Sequence, residues 1–115
     1  MILAVLDDLM FTSKIKTAAG QLGVAVSFAR SADAATTAMT ASPPSLVILD
    51  LNNARVDPIG LVKVMKANPA LASIPTVGFV SHVQTDLIEA ARAAGVGEVM
   101  ARSAFTAQLG EILKR

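Results

Sequence analysis

Polar side chains with chemical potential stand at the ends of short apolar runs in this sequence. Asp7 and Asp8 follow Ile2 to Leu6, Asp50 closes Leu46 to Leu49 and is followed two residues on by Asn52, Ser81 follows Thr76 to Val80, and Arg102 with Ser103 follows Glu98 to Ala101. If Asp7 and Asp50 come together, two like charges face each other, an arrangement that is costly unless a cation joins them. An all-oxygen donor set with few protein ligands suits Mg²⁺, which keeps several waters and accepts one or two carboxylates. Asp7, Asp50 and the backbone carbonyl of Asn52 could supply such a site, with Asp8 as a further donor if the loop slips by one residue. A carboxylate at that position can act as a nucleophile towards a phosphoryl donor, and a hydroxyl and a cation nearby would hold the oxygens of the transferring group. Ser81 and Arg102 are the candidates for those two roles, and Asp50 for the acceptor.

The elements that must position these residues are legible as an alternation. The apolar runs Ile2 to Leu6, Val24 to Phe28, Leu46 to Leu49, Thr76 to Val80 and Glu98 to Ala101 read as buried strands. Between them, apolar residues recur at helical spacing: Phe11, Ile15, Ala18, Ala19 and Leu22; Ala34, Ala35, Ala38 and Met39; Leu61, Val62 and Met65; Leu87, Ile88, Ala91 and Ala94; and finally Phe105, Leu109, Ile112 and Leu113. Gly23 and Gly95 are placed to close helices, and Asp57 followed by Pro58 reads as an N-cap with proline at the first helical position. Met10, Met39, Met65 and Met100 are read as packing residues. Strict βα alternation predicts an α/β fold with a mostly parallel sheet covered on both faces, with function at the carboxyl ends of the strands.

Composition narrows the classes further. The chain of 115 residues is expected to form one domain spanning 1–115, with an aliphatic core, since aromatics make up only 3% against 53% hydrophobic residues overall. There is no cysteine, which removes disulfide scaffolds, thiolate metal sites and cysteine nucleophiles. Ten basic residues nearly balance nine acidic ones without a basic stripe, so direct nucleic-acid binding is not expected. The N-terminal apolar run is too short for a membrane span or a signal peptide's apolar region, and a soluble cytoplasmic protein without membrane contact is expected. No glycine fingerprint, P-loop or Ser-His-Asp arrangement is present, and an enzyme is not expected. The single histidine, His82, is read as a surface residue in the loop after the fourth strand.

The landmarks together resemble the response-regulator receiver family over essentially the whole chain. They are Ile2-Leu3-Ala4-Val5-Leu6-Asp7-Asp8, Leu46-Val47-Ile48-Leu49-Asp50-Leu51-Asn52, Asp57 near the start of the third helix, Ile74-Pro75 opening the fourth strand, Ala90-Ala91-Arg92-Ala93-Ala94-Gly95-Val96, and Phe105-Thr106 at the start of the last helix. The resemblance implies a flavodoxin-like, CheY-like doubly wound (βα)5 fold with strand order 2-1-3-4-5, Asp50 as phosphoacceptor with Mg²⁺, and a histidine kinase or output protein as partner. The contact surface it implies is the fourth helix, fifth strand and fifth helix, and a homodimer is compatible with it. Several positions depart from the pattern. Leu6 and Asp7 align with the usual two acids, so the outer acid is a leucine. Arg102 stands for the usual lysine, Ser103 for the proline after it with Ala104 inserted, Ala54 for the proline after the acceptor, and Val99 for the strand-five aromatic. Two readings follow: a receiver phosphorylated on Asp50, and a degenerate receiver that binds its partner without phosphate, which the departures favour. A cofactor binder on the same architecture is a more distant reading, because two aspartates after the first strand would repel a flavin phosphate.

Overall fold

Alternate residues of the first strand face opposite ways, and that alternation builds two cores on one sheet. The structure is a computed structural model that describes residues 1–81 and 84–115; His82 lies outside the described residues. Strand β1 (Ile2–Val5) sends Leu3 and Val5 to one face, while Ile2, Ala4 and the following Leu6 go to the other. Five parallel strands, β1, β2 (Val26–Ala29), β3 (Leu46–Asp50), β4 (Thr76–Val80) and β5 (Glu98–Ala101), form one sheet in the order 2-1-3-4-5. Helices α2 (Ala32–Ala41), α3 (Pro58–Ala67) and α4 (Thr85–Ala94) supply the first core with Ala35, Met39, Leu61, Val62, Met65 and Ala91. Helix α1 (Leu9–Leu22) and the two short helices α5 (Arg102–Ala107) and α6 (Leu109–Leu113) cover the opposite face with Phe11, Ile15, Phe105, Leu109 and Ile112. The order in which strands are added reverses between β1 and β3, which puts a crevice at their carboxyl ends, beside Asp7, Asp8 and Asp50.

The local signals act as expected at the helix ends. Gly23 sits in the left-handed region at φ 69° and closes α1, its N–H bonding back to the carbonyls of Ala19 and Gly20. Asp57 is the one non-glycine residue with positive φ among those described, at 41°, and its carboxylate caps α3 by accepting from the Gly60 N–H at 3.3 Å. A side chain on Gly60 would run into that carboxylate.

Three expectations need correction. Strand β2 begins at Val26 rather than Val24, because the Val24 N–H is spent on the Ala19 carbonyl at 2.9 Å in finishing the α1 cap. The last helix begins at Arg102, directly after β5, instead of at Phe105, since without a proline at 103 nothing prevents helical backbone there. It is also interrupted at Gln108, whose N–H is shared between the Ala104 and Phe105 carbonyls, while Phe105, Leu109, Ile112 and Leu113 are all buried. Met10 is 85% exposed and packs no core: the buried stripe of α1 is Phe11, Ile15, Ala19, and Met10 lies off it.

Candidate functional site

The first turn of α1 fixes one side of the crevice. Asp8 is its N-cap, in extended backbone conformation, with Oδ1 accepting from the Phe11 N–H at 3.0 Å. Its other oxygen, Oδ2, accepts from Arg102 Nη2 at 3.1 Å. The guanidinium lies over the Phe11 ring, 4.3 Å from the ring centroid, so one cation is shared between a carboxylate and an aromatic face. Phe11 is held in turn by Phe79 and Phe105, with centroids 4.8 and 5.7 Å away. The Phe11 N–H, with help from Arg102, holds the Asp8 carboxyl below its ordinary range against the opposing effect of burial.

Asp50 ends β3 facing the same core as Ile48 and is 9% exposed. Burial pushes its carboxyl above the ordinary range; the Asn52 N–H, which donates to Oδ1 at 3.1 Å, and the charge of Arg102 oppose the shift, while the charge of Asp8 adds to it. The acid whose charge acts on Asp50 is therefore Asp8. Asp7 turns away to Arg55, in the 3₁₀ turn Ala54–Val56, whose Nη1 donates to Asp7 Oδ2 at 2.7 Å. Leu6 is 1% exposed and packed in the core beneath α1.

Asn52 binds across the crevice with its side chain. Its Oδ1 accepts from the Ser81 N–H, and its Nδ2 donates to Gln84 Oε1 at 2.8 Å, which ties the loop after β3 to the entrance of α4. Gln84 is the N-cap residue of α4 and makes no side-chain cap of its own. The Ser81 side chain opens onto a cleft of about 430 Å³ together with Phe11, Lys14, Arg102, Ser103 and Thr106.

Asp8, Asp50 and Arg102 are thus brought into one electrostatic cluster, with Ser81 and Arg102 sharing a cleft beside it. Among the described residues, no three acidic or histidine side chains gather as a metal-binding group. Sequence reasoning missed Arg55, Phe11 and Gln84. Phe11 carried a usable signal, three positions after a capping acid on the buried stripe of a helix; the reach of Arg55 to Asp7 had none.

Solved structures supply the comparison. The phosphorylated cyanobacterial phytochrome response regulator RcpA superposes with a TM-score of 0.80 at 26% identity, covering 98% of this chain and 87% of its own. In fold, the chain is CheY-like. The receiver likeness extends to the Mn(2+)-bound form of response regulator Rcp1, with a TM-score of 0.82 at 20% identity over 96% of this chain and 89% of that one. It extends also to a response regulator from Hahella chejuensis, with a TM-score of 0.87 at 18% identity over 98% and 91%. No protein-family model and no curated protein matches the chain. The site has an acid at the end of β3, a cation after β5, and Asp8 as the acid beside them.

Proposed function

We propose that this receiver-like domain is a two-component signalling module that works as a protein-interaction unit without needing a phosphoryl group on Asp50. The observation that carries this reading is the position of Arg102. A cation that is to neutralise a phosphoryl group on Asp50 must be free to reach it, whereas this one bonds the Asp8 carboxylate and rests on the Phe11 ring. Breaking both contacts to reach Asp50 would forfeit a cation–π contact worth about 0.5–2 kcal/mol in addition to the ion pair.

The donor set does not suit a divalent cation. Asp7 is turned to Arg55, Asp8 is held by Arg102 and the Phe11 N–H, and burial raises the Asp50 carboxyl. The Arg55–Asp7 pair alone would not exclude an ion, because Arg55 is 82% exposed and such pairs add little. The hold of Arg102 and of the Phe11 N–H on the Asp8 carboxylate weighs more. Adding millimolar Mg²⁺ or Mn²⁺ is expected to leave the thermal midpoint unchanged, as read by circular dichroism; a concentration-dependent rise would show a working metal site.

Phosphorylation competence is the second reading. It is favoured by Asp50 at the strand end, by Ser81 and Arg102 opening on one cleft, and by RcpA, itself phosphorylated, as a structural neighbour. Intact-mass spectrometry after incubation with acetyl phosphate and Mg²⁺ separates the two, with Asp50→Asn as control. No adduct on the folded protein is expected; a phosphoryl adduct absent from Asp50→Asn would overturn the phosphate-independent reading. In either case the chain acts as a binding module, not as an autonomous catalyst, and α4, β5 and α5 are the surface that the receiver likeness nominates for a kinase or output partner.

A further inference from the structure

Residues four apart on a helix line up as a ridge, and Met10, Lys14, Ala18 and Leu22 form one such ridge on α1, a helix that carries no acid along its 14 residues. Beside this ridge runs an open groove of about 620 Å³, bounded on its far side by Leu109 and Gly110 of α6. Polarity is graded along it. Towards the C-terminal end of α1 the walls are Ala18, Leu22, Leu109 and Gly110. Towards the N-terminal end the groove runs into the 430 Å³ cleft that holds Arg102, and the two share Met10, Lys14 and Thr106. Neither lining contains an acid. Lys14 makes no ion pair among the described residues, whereas Lys16 turns away to the Phe28 ring, 6.0 Å from its centroid. Gly110 sets the width of the apolar end: a Cβ there would already stand 4.0 Å from Leu22 Cδ1.

We propose that this groove binds a small single-chain anionic amphiphile, a medium-chain carboxylate, with its head at Lys14 and its tail lying towards Leu22 and Leu109. Neither Asp8 nor Asp50 lines the groove, so the site stands whether or not Asp50 takes a phosphoryl group. Its volume falls within the roughly 300–1,000 Å³ of small-molecule sites. From Lys14 to Leu22 the helix rises about 12 Å, at 1.5 Å per residue, which suits a tail of medium reach. Charge fixes the sign of the head. A carboxylate gains a charge-assisted hydrogen bond from the Lys14 ammonium and the attraction of Arg102, while an ammonium head would meet two cations and no acid. The tail supplies the rest: each CH₂ that is fully buried is worth about a factor of four in affinity, and each one covered on a single side about a factor of two.

The test titrates the full chain, labelled with ¹⁵N, with hexanoate, octanoate and decanoate below their micelle concentrations, and with decyltrimethylammonium as the charge control. The carboxylates are expected to shift amides along α1 and α6, with affinity rising about two- to fourfold per added CH₂ and the ammonium at least about tenfold weaker than decanoate. Lys14→Glu is expected to remove the preference for the anionic head. Gly110→Leu fills the apolar end and is expected to flatten the dependence on chain length; Leu22→Gln, at an exposed position, asks the same question should Gly110→Leu fail to fold. An amide spectrum unchanged away from α1 and α6 verifies each variant. No binding, a flat chain-length series in the wild type, or equal binding of the two head charges overturns the proposal. So do shifts centred on the exposed Val64 of α3, which would mean indiscriminate detergent-like contact, and binding to anionic phospholipid vesicles without any response to monomeric decanoate, which would mean a membrane surface as the occupant.

Discussion

Asp8 and Asp50 lie near one guanidinium, and their surroundings pull their protonation in opposite directions. Burial raises the Asp50 carboxyl, so the folded state binds its proton more tightly than the unfolded chain does. The stability this gives is present below the ordinary value of 3.8 and is lost as pH rises through the raised one. Asp50→Asn is therefore expected to raise the thermal midpoint at neutral pH, with the gain shrinking on acidification. Asp8 has the reverse sign: its lowered carboxyl contributes stability above 3.8 that disappears as pH falls through the lowered value. Asp8→Asn keeps an equally good N-cap and removes only the charge, so it should lower the midpoint at neutral pH and converge with the wild type in acid. Midpoints of the two variants measured across the acid range check both signs; parallel curves for both would contradict them. The types of these residues were legible because acids and a cation at the carboxyl ends of parallel strands have few structural reasons to be there. Their pairing was not legible. Sequence offered Arg102 to Asp50 and Asp50 to Asp7, but a long side chain chooses among neighbours by contacts that only the folded chain brings together, here Phe11 and Asp8.

At the scale of elements, two glycines three residues apart in the last turns of α1 do opposite work. Gly20 has open space where a Cβ would go, while Gly23 needs its left-handed backbone. Gly20→Ala is expected to stabilise the fold by about 0.5–1 kcal/mol, through helix propensity and a less disordered unfolded chain. Gly23→Ala should destabilise it by about 1–2 kcal/mol, and urea midpoints of the pair would show both. The alternation of strands and helices was readable because parallel strands buried on both faces are continuous apolar runs while the helices between them keep a stripe. Boundaries failed where an apolar residue had a second task. Val24 looks like a strand residue and finishes a helix cap, and Phe105 looks like the start of a helix that already runs from Arg102.

For the molecule as a whole, both cores share the same five strands, so neither can come apart without exposing the other's sheet face. Unfolding in urea is accordingly expected to be one cooperative step, with backbone and side-chain probes coincident; separated transitions would mean that the α1 and α5–α6 side melts by itself. None of the described helices is long and apolar enough to cross a membrane. The phenylalanine cluster has a further consequence. The chain has no tryptophan or tyrosine, and three of its four phenylalanines, Phe11, Phe79 and Phe105, stack in one group with Arg102 upon it. The near-ultraviolet dichroism of this protein is therefore close to a single-site signal: a built-in chromophore beneath the crevice, able to report without any label whether the arginine stays seated when a metal, a phosphoryl donor or a partner is added.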